Sequence, residues 1–161
     1  MSRLLATLLC FAIAACAPKA IVTADTVAWR AAATGADRER LRDWREAFVT
    51  ALAKARAAGH GDAVAAEGVL LEPDAALGGP IPSGTYRCRV IKLGAKTPGM
   101  LDYIAYPPFS CRVQQAGDVQ SFAKLTGSQR PVGRLFPGDA LRQVFLGTMV
   151  LGDEVRAMQY G

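Results

Sequence analysis

The strongest constraint on this chain is a change of hydrophobic period near residue 85. From there on, apolar residues recur at every second position, the repeat of a half-buried strand. The strand-like runs cover residues 85–93, 101–106, 109–115, 119–125, 131–136 and 141–150, the last apolar nearly throughout, and a further one begins at 155–160. Turn chemistry separates them: Pro107-Pro108, Ala116-Gly117-Asp118, Thr126-Gly127-Ser128, Pro137-Gly138-Asp139 and Gly152-Asp153. No stretch between the runs is long enough for a helical crossover, so the strands must run antiparallel. This predicts a meander of six or seven strands, closed as a barrel or folded as a sandwich-like sheet.

The chain before residue 80 follows a different rule. Leu41, Trp44, Phe48, Leu52 and Ala55 recur at spacings of three and four and form one apolar stripe. Arg38, Glu39, Arg42, Asp43, Arg45 and Glu46 fill the opposite face. Thr34, followed three residues later by Asp37, is a variant of the capping box, and Gly59 and Gly61 supply a stop. The pattern predicts one helix over about residues 37–58 that docks on the strands. The fold class is therefore α+β. Residues 63–71 fit a short helix or a strand, and Pro73, Gly78-Gly79-Pro80 and Pro82 make the rest a loop.

The first segment reads as an address. Arg3 precedes a twelve-residue run, 4–15, that is apolar apart from Thr7. A membrane-spanning helix needs about 20 residues, so this run has the length of a signal-peptide core. Ile13-Ala14-Ala15-Cys16 has the order of a bacterial lipobox: an aliphatic residue, two small ones, then the cysteine that receives lipid. The rival reading is ordinary secretion, with cleavage after Ala12-Ile13-Ala14. On the lipoprotein reading, residues 1–15 are the signal, Cys16 carries the anchor and 16–28 form a tether. More than one acyl chain gives stable anchoring. Ala17 in place of an Asp favours the outer membrane, with the domain facing the periplasm.

Removal of Cys10 and acylation of Cys16 leave Cys88 and Cys111, which an oxidising compartment is expected to pair. Their surroundings match. Tyr86, Cys88 and Val90 alternate with Arg87 and Arg89, as Phe109, Cys111 and Val113 alternate with Ser110 and Arg112. Two neighbouring strands stapled across a core satisfy both patterns.

Gly84-Thr85-Tyr86-Arg87-Cys88-Arg89-Val90-Ile91-Lys92-Leu93-Gly94 is a distinctive run, as is Arg130-Pro131-Val132-Gly133-Arg134-Leu135-Phe136-Pro137. Leu146-Gly147-Thr148 and Tyr160-Gly161 follow in order. On these motifs the chain resembles an uncharacterised family of bacterial envelope proteins, the domain of unknown function 4893, over about residues 29–161. The resemblance implies an envelope β-domain with the helix first, and it implies no activity and no catalytic residue. It also implies further strands after the Tyr-Gly pair, so a chain truncated short of its closing strands is expected.

Chemistry-bearing constellations are sparse. The one histidine, His60, stands between two glycines with no nucleophile motif to serve. Gly94-Ala95-Lys96-Thr97 lacks the glycines of a phosphate loop. Asp102 and Asp139 are a carboxylate pair without a motif. The reading assigns no catalytic residue, no metal ligands and no cofactor. The net charge of +5 is unevenly placed: residues 16–83 carry 8 basic and 9 acidic residues, whereas 84–161 carry 10 and 5. Arg87, Arg89 and Arg112 are the candidate face for an anionic partner, against the plainer reading of solvated strand charges that block aggregation. The compartment disfavours nucleic acid. The expectation is a non-catalytic binding or structural module of the envelope, held at the membrane by its lipid, with an envelope protein or an anionic glycan as partner. The alternative is an inhibitor of an attacking hydrolase, a protease before a cationic lysozyme.

Overall fold

The computed structural model describes residues 25–75, 78–139 and 141–152. The signal segment, Cys16, most of the expected tether and the strand expected at 155–160 lie outside the described residues.

Among the described residues four α-helices precede seven strands: α1 (Asp25–Ala32), α2 (Gly35–Arg42), α3 (Trp44–Ala55) and α4 (Gly61–Ala66), then β1 (Gly84–Cys88), β2 (Ile91–Leu93), β3 (Tyr103–Ala105), β4 (Phe109–Ala116), β5 (Val119–Lys124), β6 (Gln129–Pro137) and β7 (Gln143–Leu151). The fold is α+β with antiparallel pairing throughout. One sheet has the order β1-β4-β5-β6-β7, and β2 and β3 pair separately as a hairpin.

The single helix expected over 37–58 is broken twice. Asp43 leaves helical geometry at φ −95°, ψ 6°, its N–H still donating to Glu39 O, and α3 restarts at Trp44. A wide turn, Arg56–His60, follows α3 and kinks at Gly59, whose φ of 87° is open to glycine at little cost. The break at Asp43 divides the apolar stripe. Leu41 packs with Ala33, Phe136 and Leu146 against the large sheet, while Leu52 and Ala55 join Val64 and Leu71 in a second core. Residues 63–71 are helical, α4 being followed by a tight turn over Gly68–Leu71. The tether expected over 16–28 overlaps α1, which begins at Asp25.

The expected barrel does not close among the described residues: β1 and β7 are the two edges of an open sheet. The run 85–93 is two strands rather than one. At Arg89-Val90 the chain leaves the large sheet, and Ile91 and Leu93 turn with Tyr103 onto Phe48 and Leu52 of α3. Gly94 lets the hairpin sit close, since a Cβ there would overlap Ala51. Helix packing thus draws away two strands that would otherwise have extended the meander.

The large sheet has two working faces. On one, α1 covers Phe136 and Leu146, with Val119 and Val144 alongside. The other is filled by the sheet's own side chains: Cys111 and Val113 are buried, and the Phe122 and Phe145 rings meet edge-on at 5.6 Å. Gly133 lies opposite both Phe122 and Gly147 in the register. A Cβ on Gly133 would overlap the Leu146 carbonyl and the Gly147 backbone, so β6 and β7 approach there as only glycines allow.

Candidate functional site

Cys88 and Cys111 form a disulfide between β1 and β4, with Cα atoms 6.0 Å apart. The register places Tyr86 opposite Cys111 and Cys88 opposite Phe109, so the staple is diagonal. Phe109, Cys111 and Val113 share the filled face, as the alternation requires, while Arg112 points to the other side.

The three arginines assigned to one face do not stay together. Arg87 and Arg112 do: Arg87 lies opposite Ser110 and Arg112 opposite Thr85, which makes them diagonal neighbours about 7–8 Å apart at the backbone. Arg89 falls past the end of β1 and forms a forked pair with Glu67, whose carboxylate raises its pKa further. It is a structural ion pair. Two arginines that sequence reasoning missed take its place. Carried across the ladder, the register puts Arg130 and Arg134 of β6 on the same side as Arg87 and Arg112. Arg87, Arg112 and Arg134 are exposed and Arg130 is half-buried. No strand position on this face carries a carboxylate: it presents Thr85, Ser110, Gln114, Ser121 and Thr148 beside the arginines, and it is the same face whose Phe136, Leu146, Val119 and Val144 pack under α1. None of the four arginines forms an ion pair among the described residues.

The second feature is a cleft of about 580 Å³ between the helices and the β6–β7 turn. Trp29 of α1, Leu41 of α2, and Trp44 and Phe48 of α3 form one wall. Asp139, Leu141, Arg142 and Gln143 form the other, and Pro73 and Ile81 of the long loop complete it. Trp29 and Trp44 are the only tryptophans of the chain. Sequence reasoning took the Trp44–Phe48 stripe as a packing face. Its Trp44 end is instead 39% exposed, because the break at Asp43 turns it from the cores toward this opening.

The walls are fixed by polar contacts behind them. Arg45 donates to both oxygens of Asp74, at 2.5 and 2.7 Å, which ties the 72–75 segment to α3. Gln120, buried on β5, accepts from Ile81 N–H at 3.2 Å and donates back to Ile81 O at 2.5 Å. Gln143 donates to the same Gln120 oxygen at 3.2 Å. In the β6–β7 turn, Leu141 N–H donates to Asp139 Oδ1 at 2.8 Å. That bond, with help from Arg142, holds the Asp139 carboxyl below its ordinary pKa. Arg142 sits 3.6 Å from Asp139 and 5.6 Å above the Trp44 ring.

His60 stacks on Tyr103 at 5.3 Å and belongs to the hairpin's packing. Lys124 is buried opposite Cys111: its ammonium donates to Gln129 O at 2.7 Å and lies 3.5 Å from the centre of the Phe109 ring. Burial, reinforced by Arg130, lowers its pKa. Among the described residues no helix is long and apolar enough to cross a membrane, and no three His, Cys, Asp or Glu side chains gather as a metal site.

No curated protein and no solved structure matches the chain. A family model does, the one described as a domain of unknown function (DUF4893), over residues 29–161. That span takes in α2 to α4, all seven strands, the disulfide and the lining of the cleft, and the chain belongs to the DUF4893 family.

Proposed function

We propose that this protein is an envelope lipoprotein, acylated at Cys16 and facing the periplasm from the outer membrane, that acts as a non-catalytic binding module for an anionic partner. The observation that carries the binding role is the sheet face bearing Arg87, Arg112, Arg130 and Arg134 with no carboxylate among its strand positions. Guanidinium groups present forked donors that match carboxylates and phosphates two bonds at a time. Hydroxyls and amides between them, at Ser110, Gln114 and Ser121, are further partners for a polyanion such as an acidic glycan. The anchor rests on the apolar run at 4–15 and on Ile13-Ala14-Ala15-Cys16. Eight residues separate Cys16 from α1, a reach of at most about 30 Å, which would hold the face close to the envelope surface.

Two measurements test the halves of this reading. Labelled palmitate should enter the protein in cells and be lost in Cys16→Ser; labelling that survives the substitution defeats the anchor. The purified protein should bind dextran sulfate but not neutral dextran, with an affinity that falls as salt rises. The triple variant Arg87→Gln, Arg112→Gln, Arg134→Gln should lose most of that binding. Equal binding by the variant removes this face from the proposal.

A further inference from the structure

We infer that the cleft between the helices and the β6–β7 turn is a second binding site, and that it takes a neutral polysaccharide segment, one or two pyranose rings seated against Trp44. The inference does not rest on the arginines of the sheet face: none of the four lines the cleft, although Val144 of the same face does.

A pyranose ring has an apolar side of axial C–H bonds and an equatorial rim of hydroxyls. It therefore needs a flat apolar platform beside polar groups, the mixture that defines small-ligand sites in general. Trp44 offers that platform: it is 39% exposed, lies outside both cores and is tilted 51° to Phe48 at 6.5 Å. Both rings carry a guanidinium, but Arg30 lies closer to Trp29, at 4.2 Å from its ring centre, than Arg142 does to Trp44, at 5.6 Å, which leaves Trp44 the more open platform.

Arg30 and Arg142 are offset by Glu72 and Asp139, so the cleft has no net charge with which to attract an ion. All four side chains, and Gln143 with them, end in planar forks. Such forks suit adjacent hydroxyls, each of which both donates and accepts. A fatty acid or another anionic amphiphile would find its carboxylate facing Asp139 and Glu72 as well as the arginines, which disfavours it.

About 580 Å³ exceeds the needs of one sugar ring and lies within the usual range of small-ligand sites. The contacts of Arg45 with Asp74, Gln120 with Ile81, and Asp139 with Leu141 hold three sides of the cleft before anything binds. Weak, short-reach contacts to hydroxyls yield affinity only where such ordering has been done in advance.

Both tryptophans line the cleft, so intrinsic fluorescence reports on it directly. The full chain is titrated with cellotetraose and, separately, with the tetramer of N-acetylglucosamine, with sodium laurate as the apolar control. The expected result is a saturable change in tryptophan emission with at least one oligosaccharide. By calorimetry, Trp44→Ala should weaken that binding about tenfold and Trp44→Phe should restore part of it. Arg142→Gln should weaken it as well, with circular dichroism unchanged in all three variants. The triple arginine variant of the sheet face should bind the oligosaccharide as the parent does. No response to either oligosaccharide overturns the inference. So does a response to laurate alone, or oligosaccharide binding that Trp44→Ala and Arg142→Gln leave intact.

Discussion

The two halves of the molecule bury their interiors by different chemistry. The helical half closes over Leu52, Ala55, Val64 and Leu71, with the β2–β3 hairpin as its lid, and every member of that core is aliphatic. The filled face of the large sheet encloses a disulfide sulfur, an amide at Gln120 and an ammonium at Lys124, each with a named partner. No buried side-chain nitrogen or oxygen among the described residues lacks a hydrogen-bond partner. The first kind of interior tolerates small changes of shape and fails by loss of volume. The second depends on particular contacts and on a covalent staple. Stability in this protein is therefore two problems, which substitutions should be able to separate.

The largest expected effect is in the helical half. Leu52 is 2% exposed, and Leu52→Ala hollows the core on which Phe48, Ile91, Leu93 and Tyr103 pack. A loss of about 3–4 kcal/mol of unfolding free energy is expected, in the middle of the range for such truncations. Urea unfolding measures the total. Hydrogen exchange should place the loss in α3, α4 and β2–β3, with β4 and β5 keeping most of their protection. Equal loss across the large sheet would show that the two interiors unfold as one unit and would end the comparison.

The next effect belongs to the sheet. The disulfide closes 23 residues, and removing it with Cys88→Ser and Cys111→Ser should cost about 3 kcal/mol in the chain-entropy account. The closed loop contains the β2–β3 hairpin and the Pro107-Pro108 step, so the staple also fixes where the chain that left the sheet must return. Exchange should rise first in β1, the edge strand, which pairs with β4 alone. A double variant as stable as the parent would mean that β1 is held by its ladder and needs no staple.

What the sequence made legible was local. The period-two runs locate β4, β5, β6 and β7 to within a few residues, because each follows its neighbour through a tight turn and keeps one face inward throughout. The cysteine pair follows from the same alternation. The misreadings arise where a residue answers to something distant. Asp43 stands in a continuous 3.6-residue stripe, and only the presence of two cores shows why the helix divides there. Ile91 and Leu93 fall out of phase with Tyr86, Cys88 and Val90, and this shift inside the 85–93 run marks where the chain leaves the large sheet and turns onto the apolar side of α3. Arg134 joins Arg112 only after the register is counted through Ala123 and Val132, and no spacing along the chain encodes that count. The cleft is the extreme case, with Trp29 and Gln143 on facing walls. One signal was available early: both tryptophans fall in the helical third, and Trp44 sits beside the acidic residue at which the helix breaks.

The smallest effect, and the sharpest test of the polar interior, is at Lys124. Its folded-state pKa is lowered, first by burial and then by Arg130, whereas the unfolded chain should titrate near the ordinary lysine value of about 10.4. Between the lowered value and about 10.4, the unfolded state holds a proton that the folded state has given up. Stability should therefore rise with pH across that window and level off above it. Below the window the folded protein bears the cost of a buried ammonium, offset by Gln129 O and the Phe109 ring. Lys124→Met keeps the stem, removes the charge and should change stability at neutral pH by no more than about 1 kcal/mol. The informative quantity is the difference between the two proteins from pH 7 to 10.5, since other lysines and tyrosines titrate equally in both. That difference should shift in favour of the parent as pH rises. A flat difference would mean that Lys124 reaches water in the folded state, and the filled face would then be less closed than its buried neighbours Cys111 and Val113 indicate.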